Sequence, residues 1–317
     1  MALVEPFMVK SEFNLSAGES FTLKADTGES ILVKDVWIGW SSADYYIISI
    51  DRDTVGFFRG EGKPAYSHLY IPRFVNVDAA TALKSVKSKT LLNLFVERGY
   101  FKGFPVAEGQ KFVITPYPEN KALGHVCVFY EKYDAGDIKK EDINGSEAKE
   151  YVYIAYGKIS DEVKQAGEYV YDVMLNPEEF ADFPFERECS AKMEIEVLGI
   201  TGWEVISVAD ASNYTYTKYL KLFKGRKLLF DSEKKGIPVY KPYASGMSGE
   251  IVGGGFSLLG QYTIKDFRLP LLFNTPIKFT SGEELRIILE VGAEGSGSSI
   301  TSDNLELGVI LKARITE

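Results

Sequence analysis

Two histidines, His68 and His125, are the only imidazoles in the chain. Any catalytic site of the Ser-His-Asp or Cys-His kind would therefore have to use one of them. His68 lies in a loop-like Tyr-Ser-His-Leu-Tyr stretch, and His125 comes just before an apolar run. The chain has no Gly-x-Ser-x-Gly motif, the strained turn that exposes a nucleophilic serine. These residues favour a protein that is not an enzyme, and we predict no catalytic residues.

The residue pattern does not favour metal or cofactor binding either. Cys127 and Cys189 lie in strand-like apolar runs, which is typical of buried thiols, and they lack zinc-ligand spacing. The sequence does not decide whether the two cysteines form a disulfide. Asp51 and Asp53 have calcium-compatible alternation, although solvated acids in a hairpin turn explain them more simply. Gly253–Gly260 lacks the Gly-Lys-Ser/Thr ending of a phosphate-binding loop. We predict no metal ligands and no cofactor.

The aromatic residues could bind a sugar, because an aromatic ring packs well on the apolar face of a sugar. Trp37, Trp40 and Trp203 are the three tryptophans. Trp37 and Trp40 lie in, or at the end of, a predicted strand, where packing in the core is the ordinary role of such a ring. Sugar binding is therefore kept as the alternative.

The charge balance argues against sequence-independent binding of nucleic acid. The chain has 36 Lys and Arg against 45 Asp and Glu, a net charge of −9. Neutralising phosphates requires clustered basic residues. The sequence has no run of 18 apolar residues that would predict a membrane-spanning helix, and its first residues lack the basic region of a secretory signal.

Period-two alternation is the dominant local pattern and predicts a protein made mainly of β-strands. Short runs rich in β-branched and aromatic residues end at Gly, Asp, Asn or Ser, as strands in sandwiches and barrels do. The predicted strands are Ile31–Ile38, Tyr45–Ile50, Val126–Tyr130, Met193–Val197, Tyr214–Phe223, Leu285–Val291 and Leu305–Ile315.

One segment has helical spacing instead. Its apolar residues are Leu83, Val86, Leu91, Leu94 and Phe95. This spacing predicts a helix over 79–98, with Asp78 as its N-cap and Gly99 as its C-terminal stop, packed over a sheet.

The two halves of the chain share a series of markers. A long strand reaches Gly39-Trp40 in the first half and Gly202-Trp203 in the second. A proline followed by a glycine turn precedes a strong strand in both halves, with the glycines at Gly109 and Gly282. Shared markers at a large, slightly varying separation indicate an internal duplication with loop insertions.

The duplication predicts two domains in tandem. We expect a first domain over 1–140, a linker and the start of the second unit over 141–167, and a second domain over 168–317. The charged stretch 134–150 has the composition of an exposed linker. The helix of the first half and the Gly-rich loop Gly246–Gly260 of the second occupy corresponding long connections, and loops of this kind carry specific contacts.

Two similar all-β units with long inserted loops resemble the double jelly-roll major capsid proteins of tailless icosahedral double-stranded DNA viruses. This is the lineage shared by adenovirus and membrane-containing bacterial and archaeal viruses. The resemblance spans the whole chain and rests on size, duplication and loop placement. It implies two tandem jelly-roll β-sandwiches, with a helix in a long loop of the first.

The resemblance also implies a structural virion protein. Three subunits would form a pseudo-hexameric capsomer of an icosahedral shell, assembled in the host cytoplasm. Expected partners are the chain itself, as a homotrimer and in neighbouring capsomers, minor capsid proteins and an internal viral membrane, without sequence-specific contact to nucleic acid. Predicted contact regions are the arm Ala2–Met8 and the loops 59–78 and 236–262. The alternative is a carbohydrate-binding, glycan-processing or phage receptor-binding protein built on two β-sandwiches.

Overall fold

The residues that the structure describes fold mainly as antiparallel β-sheets, as the alternation predicts. The computed structural model describes residues 3–60, 90–138, 148–156, 166–171, 188–189, 193–203, 206–210, 213–230, 235–238, 240–241, 256–257, 271–294 and 306–316. These residues form two compact units, within 3–153 and within 154–316. The division lies between Tyr153 and Ile154, within a strand that covers Ala148–Tyr156.

The first unit contains nine strands and one helix among its described residues. They are β1 (Leu3–Ala17), β2 (Phe21–Lys24), β3 (Glu29–Gly39), β4 (Tyr45–Ile50), β5 (Asp53–Arg59), α1 (Leu91–Glu97), β6 (Phe104–Val106), β7 (Lys111–Tyr117), β8 (Ala122–Asp134) and the start of β9 (Ala148–Tyr156). Because Leu3–Met8 belong to β1, this part of the predicted N-terminal arm is a sheet strand.

The strands of the first unit lie in two sheets. One has the order β1-β8-β3-β6, and the other runs β2-β7-β4-β5, with the start of β9 added in parallel beside β5. Inward side chains alternate along the strands, and Phe104 of the first sheet packs on Phe112 of the second with ring centroids 5.7 Å apart. The unit is therefore a β-sandwich with its core between the sheets.

Helix α1 lies in the long connection between β5 and β6, and it begins later than the sequence predicted. Thr90 is its N-cap, and the Thr90 hydroxyl accepts a hydrogen bond from the Asn93 N–H. The extended backbone of Thr90 rules out one helix running from Ala79 to Arg98; residues 61–89, with Leu83 and Val86, lie outside the described residues. Gly99 ends the helix with φ +72°, as predicted, because this left-handed turn lets the next N–H groups reach the last carbonyls.

The second unit contains eleven further strands among its described residues. They are β10 (Gly167–Tyr171), β11 (Met193–Trp203), β12 (Ile206–Asp210), β13 (Asn213–Lys224), β14 (Lys227–Leu228), β15 (Ile237–Pro238), β16 (Tyr240–Lys241), β17 (Phe256–Ser257), β18 (Leu271–Phe279), β19 (Leu285–Glu294) and β20 (Glu306–Thr316).

Strands of the second unit again form two main groups. Strand β11 pairs with β18 on one side and β20 on the other, while β10-β19-β13-β12 form the second group. Buried apolar side chains come from both groups, including Ile195 and Phe279 in one, and Leu220 and Leu289 in the other. The predicted contact loop Gly246–Gly260 lies outside the described residues except for Phe256 and Ser257, which pair with β16.

A turn before a strong strand is built identically in both units, as its sequence markers suggested. Gly109 and Gly282 both have φ +79°, and each N–H donates to the carbonyl of a buried residue, Ala25 or Cys189, at 2.9 Å. Ala25 and Cys189 in turn donate to the carbonyls of Gln110 and Glu283 at 3.0 Å.

The same turn is closed by equivalent side chains. The Gln110 Oε1 atom accepts from the N–H of Ala107 at 3.1 Å, and the Glu283 Oε2 atom accepts from the N–H of Thr280 at 2.8 Å. Two turns that agree in backbone angle, partner and side-chain closure are local structural evidence for the duplication.

The tryptophan markers are not equivalent, although the strands that carry them are. Strands β3 and β11 have eleven residues each, and both gain one extra residue after a valine, Val33 or Val197, relative to the strand beside them. Superposing these bulges aligns Gly39 with Trp203, so the pairing of Gly39-Trp40 with Gly202-Trp203 is wrong by one residue. A bulge shifts the strand register by one residue, and the sequence pattern does not show where this happens.

Among the described residues, no helix is long and apolar enough to cross a membrane.

Candidate interaction surface

The outward side of the sheet β1-β8-β3 carries most of the large exposed apolar side chains in the described chain. We call this surface the aromatic face and define it by Phe7, Val9, Phe13, Trp37, Trp40, His125, Cys127 and Phe129. Phe7 and Phe13 are 68% and 64% exposed, and Trp40 is 55% exposed. Single exposed apolar residues are ordinary, but a contiguous group on one sheet face marks an interaction surface.

Strand alternation explains why these side chains share one face. Val126 and Val128 of β8 point into the core and are fully buried, so Cys127 and Phe129 point outward. Cys127 lies opposite Ser11 of β1 on one side and Trp37 of β3 on the other. The three strands therefore present aromatic and small residues in rows across the sheet.

The first aromatic cluster lies across the middle of β8. The Phe129 ring is 4.5 Å from the Trp37 ring and 5.8 Å from the Phe7 ring, measured between centroids. These separations are within the range of favourable aromatic pairs. Trp37 is thus held from one side while 38% of its surface stays exposed.

The second cluster surrounds His125. Its ring lies 5.3 Å from Phe13 and 5.6 Å from Trp40, and its Nδ1 atom accepts the N–H of Asn14 at 3.1 Å. Because Nδ1 acts as the acceptor, the neutral ring carries its proton on Nε2. His125 therefore has a structural contact with the backbone, and its ring lies close to two exposed aromatic rings.

Unusual backbone conformations on three adjacent strands shape this second cluster. Asn14, Trp40 and Gly124 have φ values of +61°, +64° and +72°. At Gly124 a Cβ atom would lie 2.4 Å from the carbonyl oxygen of Trp40, so only glycine permits this approach. Left-handed residues other than glycine are uncommon, and two of the four among the described residues, Asn14 and Trp40, lie at this cluster.

Asp35 fixes both the edge of the face and the helix beside it. Its carboxylate accepts hydrogen bonds from the Trp37 indole N–H at 2.7 Å, from the Val36 N–H at 2.9 Å and from the Thr90 hydroxyl. Burial raises the pKa of Asp35, and the bonds from Thr90, Trp37 and Val36 oppose that increase. One buried carboxylate thereby orients an exposed tryptophan and the N-cap of α1.

The residues that define the aromatic face include no lysine, arginine or carboxylate, and Asp35, which lies opposite Phe129 on the same side of the sheet, is buried. Lys10 and Glu12 point to the other side of β1 and pair with each other at 3.2 Å. Beyond Phe129, the Glu131 carboxylate accepts the Tyr133 hydroxyl at 2.7 Å and lies 3.7 Å from the Lys34 ammonium. Burial, and then this carboxylate, raise the pKa of Tyr133 to about 12. The face is therefore uncharged, on a chain whose net charge is −9.

The structure separates the other residues that the sequence singled out. Both cysteines are free thiols: Cys189 is buried, as predicted, but Cys127 is half-exposed on the aromatic face, so its predicted core position is wrong. Burial raises the pKa of both thiols. Asp51 closes the turn between β4 and β5, where its carboxylate accepts the Lys111 N–H at 2.9 Å. His68 lies outside the described residues.

No cluster of three His, Cys, Asp or Glu residues in the described part of the chain could hold a metal ion. Trp37 and Trp40, predicted to pack in the core, are instead exposed, because both point away from it. Residue types and spacing alone did not single out Phe7, Phe13 or Asp35. The alternation of Phe7, Val9, Ser11 and Phe13 would have indicated a strand with an apolar outward face.

A comparison of the sequence with protein-family models and with curated proteins finds no match.

Proposed function

We propose that the chain is a structural virion protein, the major capsid protein of an icosahedral shell, built from two tandem jelly rolls. Strand pairing in the first unit carries the proposal. Its first eight strands include the pairs 1 with 8, 2 with 7, 3 with 6 and 4 with 5. These pairs are the ones that one long hairpin makes when it folds over into two sheets, and they support a jelly roll for this unit.

The second unit supports the proposal by repeating the central pairs. Strand β11 lies between β20 and β18 as β3 lies between β8 and β6, and β19 lies between β10 and β13 as β7 lies between β2 and β4. The matching turns at Gly109 and Gly282 follow the same correspondence. Two similar units in one chain can supply six similar positions in a trimer, which is the basis of a pseudo-hexameric capsomer.

The uncharged aromatic face supports assembly as the role of the protein. A group of exposed aromatic rings on one sheet face is typical of surfaces that bind another protein. In this proposal the chain resides in the virion after assembly in the host cytoplasm. Its partners are its own copies, minor capsid proteins and an internal membrane.

Sedimentation and electron microscopy of the full purified chain test this function. We expect a mass of three chains or a multiple of three at micromolar concentration, and a particle with a six-sided outline. A chain that stays monomeric at high micromolar concentration, with no larger particle when crowding agents are added, would contradict the proposal. A coat subunit must associate with its own copies.

Carbohydrate binding is the second candidate, and the cluster of Trp40, His125 and Phe13 favours it. Trp40 is 55% exposed and lies beside an imidazole nitrogen able to donate a hydrogen bond. A sugar could stack on the indole and bond to that nitrogen. A glycan panel distinguishes the candidates: binding that is lost in Trp40→Ala, by a chain that remains monomeric, would replace the capsid proposal.

A further inference from the structure

We propose that the aromatic face is where a second copy of this chain docks, by packing the same face against itself. The choice of partner rests on the proposed function. In that setting, the aromatic face is the surface that joins two copies, and the contact has two-fold symmetry.

The dimensions of the face fit a protein partner better than a small ligand. From Phe7 to Phe13 it extends about 20 Å along β1, at about 3.3 Å per residue, and it crosses three strands spaced about 4.8 Å apart. The face is the outer surface of a sheet, whereas sites for small molecules are concave.

The exposed aromatic area has the size of an interface centre. With about 200 Å² per aromatic side chain, the exposed fractions of Phe7, Phe13, Trp37 and Trp40 amount to about 450 Å². Val9, which is 44% exposed, adds to this area. A standard interface buries about 800 Å² on each partner, with an apolar centre and a polar rim.

Charge selects a second copy over a charged partner. The face offers no lysine or arginine that would attract nucleic acid or an anionic membrane surface. Two copies that each carry −9 repel one another over most of their surfaces, but they meet without like-charge contact where the face is uncharged.

The arrangement of residues indicates contact through the face and not through the free edge of β1. Pro6 removes one N–H from β1, and its register with β8 shifts between Leu3 and Glu5, Glu5 and Met8, and Glu12 and Leu15. Such irregularities oppose the addition of another strand.

The outward side chains also have a symmetric order. Small residues, Ser11 and Cys127, lie between the two aromatic clusters. A two-fold axis that lies in the interface and runs across the strands at these small residues would place each aromatic cluster of one copy on the other cluster of its partner, which is a self-complementary arrangement. In the proposed shell, such a two-fold contact joins subunits of neighbouring capsomers.

Cys127 provides a direct measurement, because it lies at the centre of the face while Cys189 is buried. The full chain is treated with a maleimide at a series of protein concentrations, and labelling of each cysteine is followed by mass spectrometry. We expect the labelling rate of Cys127 to fall at least tenfold as concentration rises, with little labelling of Cys189 throughout. In Phe7→Gln/Phe13→Gln this protection should require at least tenfold more protein.

A matched control variant, Val170→Gln/Phe230→Gln, changes two exposed apolar residues of the second unit, 41% and 51% exposed. It should shift the concentration dependence by less than twofold. Should the Phe7/Phe13 variant fail to fold, protection of Cys127 in the unchanged chain still decides the question.

The possible results separate this inference from the proposed function. Large assemblies with unprotected Cys127 would overturn the inference and leave the capsid proposal standing. Protection of Cys127 in a particle that stops at two chains would support the inference and contradict the capsid proposal. A monomer with unprotected Cys127 at every concentration would overturn both, as would Trp37 and Trp40 fluorescence that responds only to a glycan.

Discussion

The two units share a framework, and they differ in what that framework holds. The central strands β3 and β11 have equal length and a bulge at the same position, and both units close the turn before a long strand with the same hydrogen bonds. Directly after the bulge, however, the first unit has Asp35 and the second has Gly199. The framework is therefore independent of the side chain at this position.

Asp35 makes side-chain contacts that Gly199 cannot make at the equivalent position. Its carboxylate binds the N-cap of α1 and the indole of Trp37, so the helix and one cluster of the aromatic face depend on a single buried group. Gly199 has no side chain that could bind either feature. In the second unit, the described residues of the corresponding connection, 235–238, 240–241 and 256–257, contain no helix. A bulge common to both units has thus been used for a specific contact in one of them.

The connections themselves have almost the same length despite this difference. From the hairpin turn to the glycine turn, Asp51 to Gly109 spans 58 residues and Gly225 to Gly282 spans 57. Asp51 and Gly225 are equivalent, since both have positive φ and both donate an N–H, at 2.8 Å, to a carbonyl where the strand after the glycine turn begins. The two units therefore differ in the residues of this connection, while its length is almost unchanged.

The largest effect is expected from removing the hydroxyl of Thr90. Thr90→Val leaves the first turn of α1 without its cap, which costs about 1 kcal/mol, and deprives the buried Asp35 of a donor, which costs about 1–3 kcal/mol more. Chemical denaturation should show the free energy of unfolding of the first unit reduced by the sum of the two.

Thr90→Ser keeps the hydroxyl and serves as the control, with a change below about 0.5 kcal/mol. An equally small change for Thr90→Val would mean that Asp35 does not anchor the helix. The difference between Asp35 and Gly199 would then have no effect on the stability of the two units.

The matched glycine turns give the next largest effect. Gly109→Ala and Gly282→Ala place a side chain at φ +79°, which costs about 1–2 kcal/mol. A Cβ at Gly109 has no neighbour within 4 Å, and the nearest atom at Gly282 is a Glu188 carboxylate oxygen at 3.7 Å. Backbone strain alone should therefore set both costs, and denaturation should give values within about 0.5 kcal/mol of each other.

Asparagine tolerates the left-handed region, so Gly109→Asn and Gly282→Asn should each recover part of the loss. Costs that differ by more than about 1 kcal/mol between the units would show that the turns are equivalent in geometry only, because an independent equivalent site should respond alike.

Much of the fold could be predicted from residue patterns, because alternation reports directly which side of a strand is buried. The seven predicted strands lie in β3, β4, β8, β11, β13, β19 and β20, apart from Leu305, which is outside the described residues. The turn glycines Gly109 and Gly282 were recognised as a pair because positive φ demands glycine at that position.

The aromatic face could not be predicted in the same way, because it depends on which strands become neighbours. Phe13, His125 and Trp40 are far apart in the sequence, and only the pairing of β1, β8 and β3 brings their rings together. The bulge after Val33 also decides on which side of β3 the Trp37 side chain lies, and the residue types do not indicate where this bulge occurs. Local patterns therefore identified the strands, while the surface required their register.

The smallest expected effect concerns the side chain that closes the turn, which is Gln110 in the first unit and Glu283 in the second. The Thr280 N–H, followed by Lys224, lowers the pKa of Glu283 below its ordinary value of 4.5. Below pH 4.5 the unfolded chain then binds more protons at this group than the folded chain, so the second unit should lose stability as pH falls through that window. Glu283→Gln should remove this part of the pH dependence while retaining the turn, as Gln110 does.

Gln110→Glu should have the opposite pH dependence, because the side-chain nitrogen of Gln110 lies 3.2 Å from the Asp51 carboxylate, and two adjacent carboxylates raise each other's pKa. Stability would then fall as pH rises. Denaturation curves between pH 3 and pH 7 measure both slopes, and equal slopes for the two exchanged variants would show that the turns differ in more than this side chain.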